Sequence, residues 1–244
     1  MKILIKNIRN LANKPYTDHN ISLNAFQKIA LGVGSGLGSF VNPYNAEYIA
    51  TFGEITAIPA LKNIRKRMLE SESGRRILSE KPLLRAPTFS VDKFKNYPAN
   101  SLGSVYHNFM TFNSFSPEER SPIRFIEDPE LAYLMLRYRE IHDFTHVLLD
   151  QPIDILGEIT IKWFEAFQTN LPLCYTAGFF GSLNLIPIQK KRYLHDHLRY
   201  AIKAGRESKF FLGVYWEKHL ETNILELREM LKVPPPIKRL DVKE

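Results

Sequence analysis

The chain has 244 residues, enough for one or two domains with a sizeable core, and 44% of them are hydrophobic. A single cysteine, Cys174, excludes an intrachain disulfide framework and a thiolate-rich zinc site, and fits a reducing compartment. The formal charge of +7 points to an anionic partner, but the bases are scattered without aromatic interleaving, so a membrane surface is expected rather than nucleic acid.

Residues 1–16 are a basic, acid-free amphipathic segment with Lys2, Lys6, Arg9 and Lys14, which reads equally as a short mitochondrial targeting or membrane-contact sequence and as a frayed basic terminus. The rest, 17–244, reads as one domain. Residues 22–41 form an apolar helix carrying Gly32, Gly34, Gly36 and Gly38. These do not make a phosphate-binding spacing and follow no strand, so close helix packing is expected. After Asn42-Pro43-Tyr44 comes a helix with Ala46, Ile49, Ala50 and Phe52. Pro59 then starts another, with Leu61, Ile64 and Met68 inward and Lys62, Arg65, Lys66 and Arg67 on a solvated face. Residues 81–100 read as an irregular connector, and Ser101 caps the next helix.

The organising stretch is 128–168. Asp128-Pro129-Glu130 is a helix start, and Leu131, Leu134, Met135, Tyr138, Ile141, His142, Thr145 and Leu149 recur at helical spacing as one buried stripe. Pro152 ends this helix, and Asp154 and Gly157 lead into a second, to about Gln168. Two helices on a short loop pack antiparallel. His142 and His146, four apart, leave the first helix on one side. His146, a turn before the loop, should come level with Glu158, a turn after it, with Asp143 beside them. Two nitrogens and two oxygens without sulfur suit zinc, iron or manganese.

An H-x-x-x-H pair alone arises by chance in roughly one such chain in six. The bland alternative makes His142 a core histidine and Glu158–Lys162 a surface pair. Glu165, two turns beyond Glu158, is either a supporting acid or a surface residue. His195-Asp196-His197 reads as a solvated face, because residues two apart on a helix point apart. Beyond the hairpin, 171–183 is small and apolar. Pro187 starts a helix ending at Gly205 as a C-cap, and a last helix holds Trp216, Leu220, Ile224, Leu227 and Leu231 before Pro234. Strand-like alternation is absent, so the class is all-α: a single-domain helical bundle whose central hairpin carries the metal motif.

The element HDFTH, eleven residues and Glu158 resemble the H-D-x-x-H-(eleven)-E signature of the Coq-four family of ubiquinone biosynthesis proteins. The flanks RFIEDPELAYLMLRYRE and ILGEITIKWFEAFQTNLPLC agree, as do VNPYNAEYIATFGE and LGVYWE. The resemblance runs from about residue 17 to about residue 233 and implies a helical protein on the matrix face of the mitochondrial inner membrane, in a complex of coenzyme Q enzymes. It implies metal, usually zinc (Zn2+) with iron the alternative, at His142, Asp143, His146 and Glu158. Asp143 and Glu158 are the catalytic residues expected within that set. The implied activity is decarboxylation of 4-hydroxy-3-methoxy-5-polyprenylbenzoate, a polyprenylated aromatic substrate. Four protein ligands would close a tetrahedral zinc site, so Asp143, the worst aimed, is expected to yield its place. Rival readings are a prenyl-lipid-binding scaffold with a structural metal, and a His-Asp phosphohydrolase, for which only His107 and Asp196 could complete the set. Self-association into a homo-oligomer is left open.

Overall fold

The computed structural model describes residues 19–42, 45–85, 89–117 and 120–237, so the basic 1–16 segment lies outside the described residues. Around the long helix at the centre, α6 (Pro129–Leu149), nearly everything else is arranged. It starts as the sequence requires. Asp128 accepts the amides of Glu130 and Leu131, and Pro129 occupies the first turn, where no donor is needed. It ends at Asp150, in the left-handed region at φ 51°. Two of its last carbonyls, on Val147 and Leu148, accept from Arg228, which settles groups a helix end leaves open.

A one-sided stripe underestimates α6. Arg137 and Glu140, which the periodicity leaves outside, are fully buried and paired: Arg137 to Glu217, and Glu140 to Arg85. Arg139 beside them pairs with the buried Glu54. The helix is therefore the centre of the molecule rather than one wall of it.

Before it come α1 (Ala25–Val41), α2 (Ala46–Thr56), α3 (Ile58–Leu69), α4 (Glu72–Glu80) and α5 (Leu102–Phe112). Three of the four glycines of α1, Gly32, Gly36 and Gly38, serve close packing as expected, while Gly34 has open space beside it. A Cβ at Gly38 would come 2.9 Å from the Tyr48 ring, and one at Gly32 3.2 Å from Ile55. The basic face of α3 is exposed, though Arg65 pairs with Glu130 and Arg67 lies over the Phe210 ring. The irregular 81–100 connector holds one 3-10 turn, Val91–Asn96. Ser101 caps α5 by accepting the amide of Ser104.

After it come α7 (Ile155–Thr169), α8 (Pro172–Gly181), α9 (Pro187–Arg192), α10 (Leu198–Glu207) and α11 (Ile224–Met230). Two expectations fail here. Gly205 does not end its helix. It is buried in α10, where a Cβ would come 2.8 Å from the Phe164 carbonyl of α7, so the small residue serves helix contact. The last helix is not one run from Trp216. A 3-10 turn, Trp216–Lys218, is followed by a break, and Asn223 caps a new start by accepting the amide of Leu225. Among the described residues there is no strand, only one isolated bridge between Ser101 and Asn223. The protein is all-α and single-domain.

Candidate metal centre

His142 and His146 sit on α6 and Glu158 in the first turn of α7. Asp154 caps α7 by accepting the amide of Gly157, where any side chain would overlap the Pro152 carbonyl. That close loop fixes where Glu158 emerges. Nε2 of His142 lies 3.6 Å from one Glu158 oxygen and Nε2 of His146 3.3 Å from the other. The three side chains offer ligand atoms all within 4.8 Å of one another, forming a group able to hold a metal ion.

The opposite ring nitrogens decide how the imidazoles are aimed. Nδ1 of His142 donates to Glu165 Oε1 at 2.7 Å, and Nδ1 of His146 donates to the Gln151 carbonyl at 3.1 Å. With both Nδ1 atoms committed, the two Nε2 atoms are the ones that face the shared space, the arrangement metal-bound histidines adopt. His146 Nε2 is buried and, although a Glu158 oxygen lies 3.3 Å away, makes no well-formed hydrogen bond. A buried nitrogen without a partner is costly unless a cation takes its lone pair. Phe109 stacks on the His146 ring and fixes its plane, 5.7 Å between centroids. The donor set therefore fits a divalent metal.

Behind His142 lies a buried polar cluster. Glu165 accepts from Tyr138 and from Lys162, each at 2.8 Å, and Tyr138 Oη lies 3.2 Å from Cys174 Sγ. Burial pushes the Cys174 thiol up to about 12, and proximity to Glu165 adds to that, so it is inert rather than nucleophilic. Burial would raise the Glu165 carboxyl, but Lys162 and His142 outweigh it and hold it at about 2. Burial and Lys162 would lower His142, yet Glu165 and Glu158 carry it up to about 9. Glu158 is held well below the usual carboxylate range, its desolvation outweighed by the two imidazoles.

The sequence-predicted residues are not all brought together. Asp143 lies outside the group of three: its Oδ2 accepts from Arg120, whose guanidinium also donates to Tyr106. One residue from His142 on a helix is about 100° round, enough to aim it elsewhere. A cavity of about 180 Å³ opens beside it, lined by Met110, Phe115, Ser116, Arg120 and Asp143. Glu165 is the supporting acid and not a surface residue. Lys162 turns to it rather than to Glu158. His195 and Asp196 are exposed as expected, but His197 is buried and bonds Thr160 Oγ1 at 2.9 Å. A π-turn over Tyr193–His197 rotates it inward, which regular spacing cannot foresee. Neither His107 nor Asp196 joins the metal group. Arg120 and the Gln151 carbonyl had no sequence signal, the first lying in an irregular segment and the second being backbone.

The family model described as "Coenzyme Q (ubiquinone) biosynthesis protein Coq4" matches residues 16–236. The chain belongs to this family. Its relatives include the mitochondrial ubiquinone biosynthesis protein COQ4 homologs of Drosophila pseudoobscura pseudoobscura and Aedes aegypti. The first is 41% identical, over 89% of this chain and 82% of that protein; the second is 40% identical, over 90% and 80%. A crystal structure of a protein ascribed to ubiquinone biosynthesis, from Nostoc punctiforme, superposes with a TM-score of 0.67 at 20% identity. It covers 87% of this chain and 99% of that one, and shows a shared fold. The Coq4 family places the protein in ubiquinone biosynthesis.

Proposed function

We propose that this Coq4-family protein is a metal-dependent carbon–carbon lyase that removes the ring carboxylate of a 4-hydroxy-3-methoxy-5-polyprenylbenzoate. The observation that carries this is the three-donor set of His142, His146 and Glu158, with both Nδ1 atoms committed elsewhere. Two histidines and one carboxylate leave a coordination position open for substrate, as catalytic sites do and closed structural sites do not. The site is also reachable, since the Glu158 side chain is 37% exposed and that of His142 22%. A bound zinc would act as a Lewis acid and template; iron would suit the same ligands if the step is oxidative.

Glu165 and the Gln151 carbonyl keep the imidazoles oriented. Asp143, with Oδ2 held by Arg120, lines the cavity that opens next to it. In this reading it takes the proton of the substrate phenol, which enriches the ring, and returns that proton to the ring carbon as the bond to the carboxylate breaks and carbon dioxide leaves. The same reading has the protein working with other coenzyme Q enzymes on the matrix face of the inner membrane, in line with relatives named mitochondrial.

The test is metal stoichiometry beside release of carbon dioxide from a prenylated hydroxybenzoate. His146→Ala should lose metal and turnover together. Asp143→Asn should keep its metal and lose at least about 100-fold in turnover, the scale of general base catalysis. Full metal in His146→Ala would sink the site, and wild-type turnover in Asp143→Asn would sink the role of Asp143.

A further inference from the structure

No described helix is long and apolar enough to cross a membrane, yet one side of the molecule leaves large apolar side chains uncovered. On α1, Phe26, Ile29, Val33, Leu37 and Phe40 recur at helical spacing, and each is more than half exposed. Gly32, Gly36 and Gly38 of α1 face α2, while those apolar side chains stand out toward solvent. The stripe continues onto α8, because the Phe40 ring meets the Phe180 ring edge-on at 5.3 Å and Phe179 stands beside it. Ile186 and Ile188, also exposed, lead into Lys190 and Lys191 on α9.

Charge distinguishes this side from an ordinary protein interface. Residues 19–46 and 166–195 contain no Asp or Glu at all, and their bases are Lys28, Lys190, Lys191 and Arg192. With 26 acids in 244 residues, about six would fall in such stretches by average composition. A helix face of aromatic and aliphatic residues, free of acids and flanked by lysines, suits the boundary between anionic headgroups and acyl chains. We propose that the outer face of α1, with Phe179 and Phe180 of α8 and the lysines of α9, is where the protein docks on an anionic lipid bilayer.

The face is joined to the helix that carries Glu158. Gly181, at the end of α8, lies against Ile159, where a Cβ would come within 3.0 Å, and Ile159 follows Glu158 in sequence. Docking through this face deepens the membrane placement proposed above, and does not depend on which reaction the metal serves.

The test is flotation of the full chain with vesicles of phosphatidylcholine alone or with added phosphatidylglycerol. Wild type should favour the anionic vesicles and lose that preference in high salt. Ile29→Glu/Val33→Glu should bind at least ten-fold less, with helical circular dichroism unchanged. Phe26→Asn/Val41→Asn, at positions 79% and 82% exposed, is a second variant of the same face should the first misfold. Lys190→Glu/Lys191→Glu should lose the anionic preference, and Leu225→Glu, 66% exposed outside the face, should bind as wild type. If folded α1 variants bound like wild type, the face would be wrong while the placement stood. If wild type bound neither vesicle, the placement itself would fail. A wild-type dimer that Ile29→Glu/Val33→Glu turned into a monomer, with vesicle binding unchanged, would assign the face to a second copy of the chain and overturn the proposal.

Discussion

His142 is the residue at which protons would compete with the proposed cation. Its value of about 9 exceeds the ordinary 6.5, because Glu165 and Glu158 outweigh burial and Lys162. A folded-state value above the unfolded one stabilises the protonated chain. That contribution is full below about pH 6.5 and is lost as pH rises through about 9. A cation requires the neutral imidazole, so metal binding should go the other way and tighten as pH rises. One displaced proton gives about tenfold per unit, hence about 100-fold from pH 7 to 9. Competition against a chelator of known titration measures it, and a flat profile would show that His142 binds no metal. In Glu165→Gln the rise should finish at lower pH, because a carboxylate that holds the proton on His142 is gone.

α6 and α7 are joined by a loop with little room. Gly157 stands where any Cβ would overlap the Pro152 carbonyl. Gly157→Ala should push the start of α7 outward, taking Glu158 from the two imidazoles. Thermal stability should fall by about 2 kcal/mol, in the range of forced backbone shifts, and metal content with it. Retention of full metal would show that the loop tolerates the shift. The pair of helices was legible because caps and periodicity are local: Asp128, Pro129, Asp154 and the apolar spacing each specify a start or a face by themselves. His142, His146 and Glu158 were legible for the same reason, their meeting depending only on helix rise and a short loop. Asp143 belongs to the signature, but what it touches is set by Arg120, which arrives from an irregular segment without periodicity. His197 was missed because one extra residue in a π-turn moves every later side chain round the helix. The helix expected from Trp216 was missed because tertiary contacts, such as Trp216 Nε1 donating to the Phe211 carbonyl at 3.0 Å, overrode spacing.

For the whole molecule, charged residues inside the core do the work of holding peripheral segments to α6. Arg137 has no exposed surface, and it binds Glu217 at 3.0 Å and the Val214 carbonyl at 2.8 Å. It thereby anchors the stretch of 3-10 turns between α10 and α11, while Glu54 gathers Arg139 and the amides of Arg124 and Phe125 on another side. Such pairs add little over apolar packing when intact, but removing one partner strands the other and leaves unmet carbonyls. Arg137→Ala should therefore cost about 3–5 kcal/mol, a fall of about 10 °C in Tm for a chain of this size. Arg137 lies more than one turn from His142 and touches none of the ligands, so metal binding below the melting transition should survive. Thermal unfolding with and without added zinc separates the two effects. A variant as stable as wild type would mean that the 212–217 stretch is held by its aromatic packing alone, and loss of metal in the folded variant would mean that this anchor also sets the register of α6.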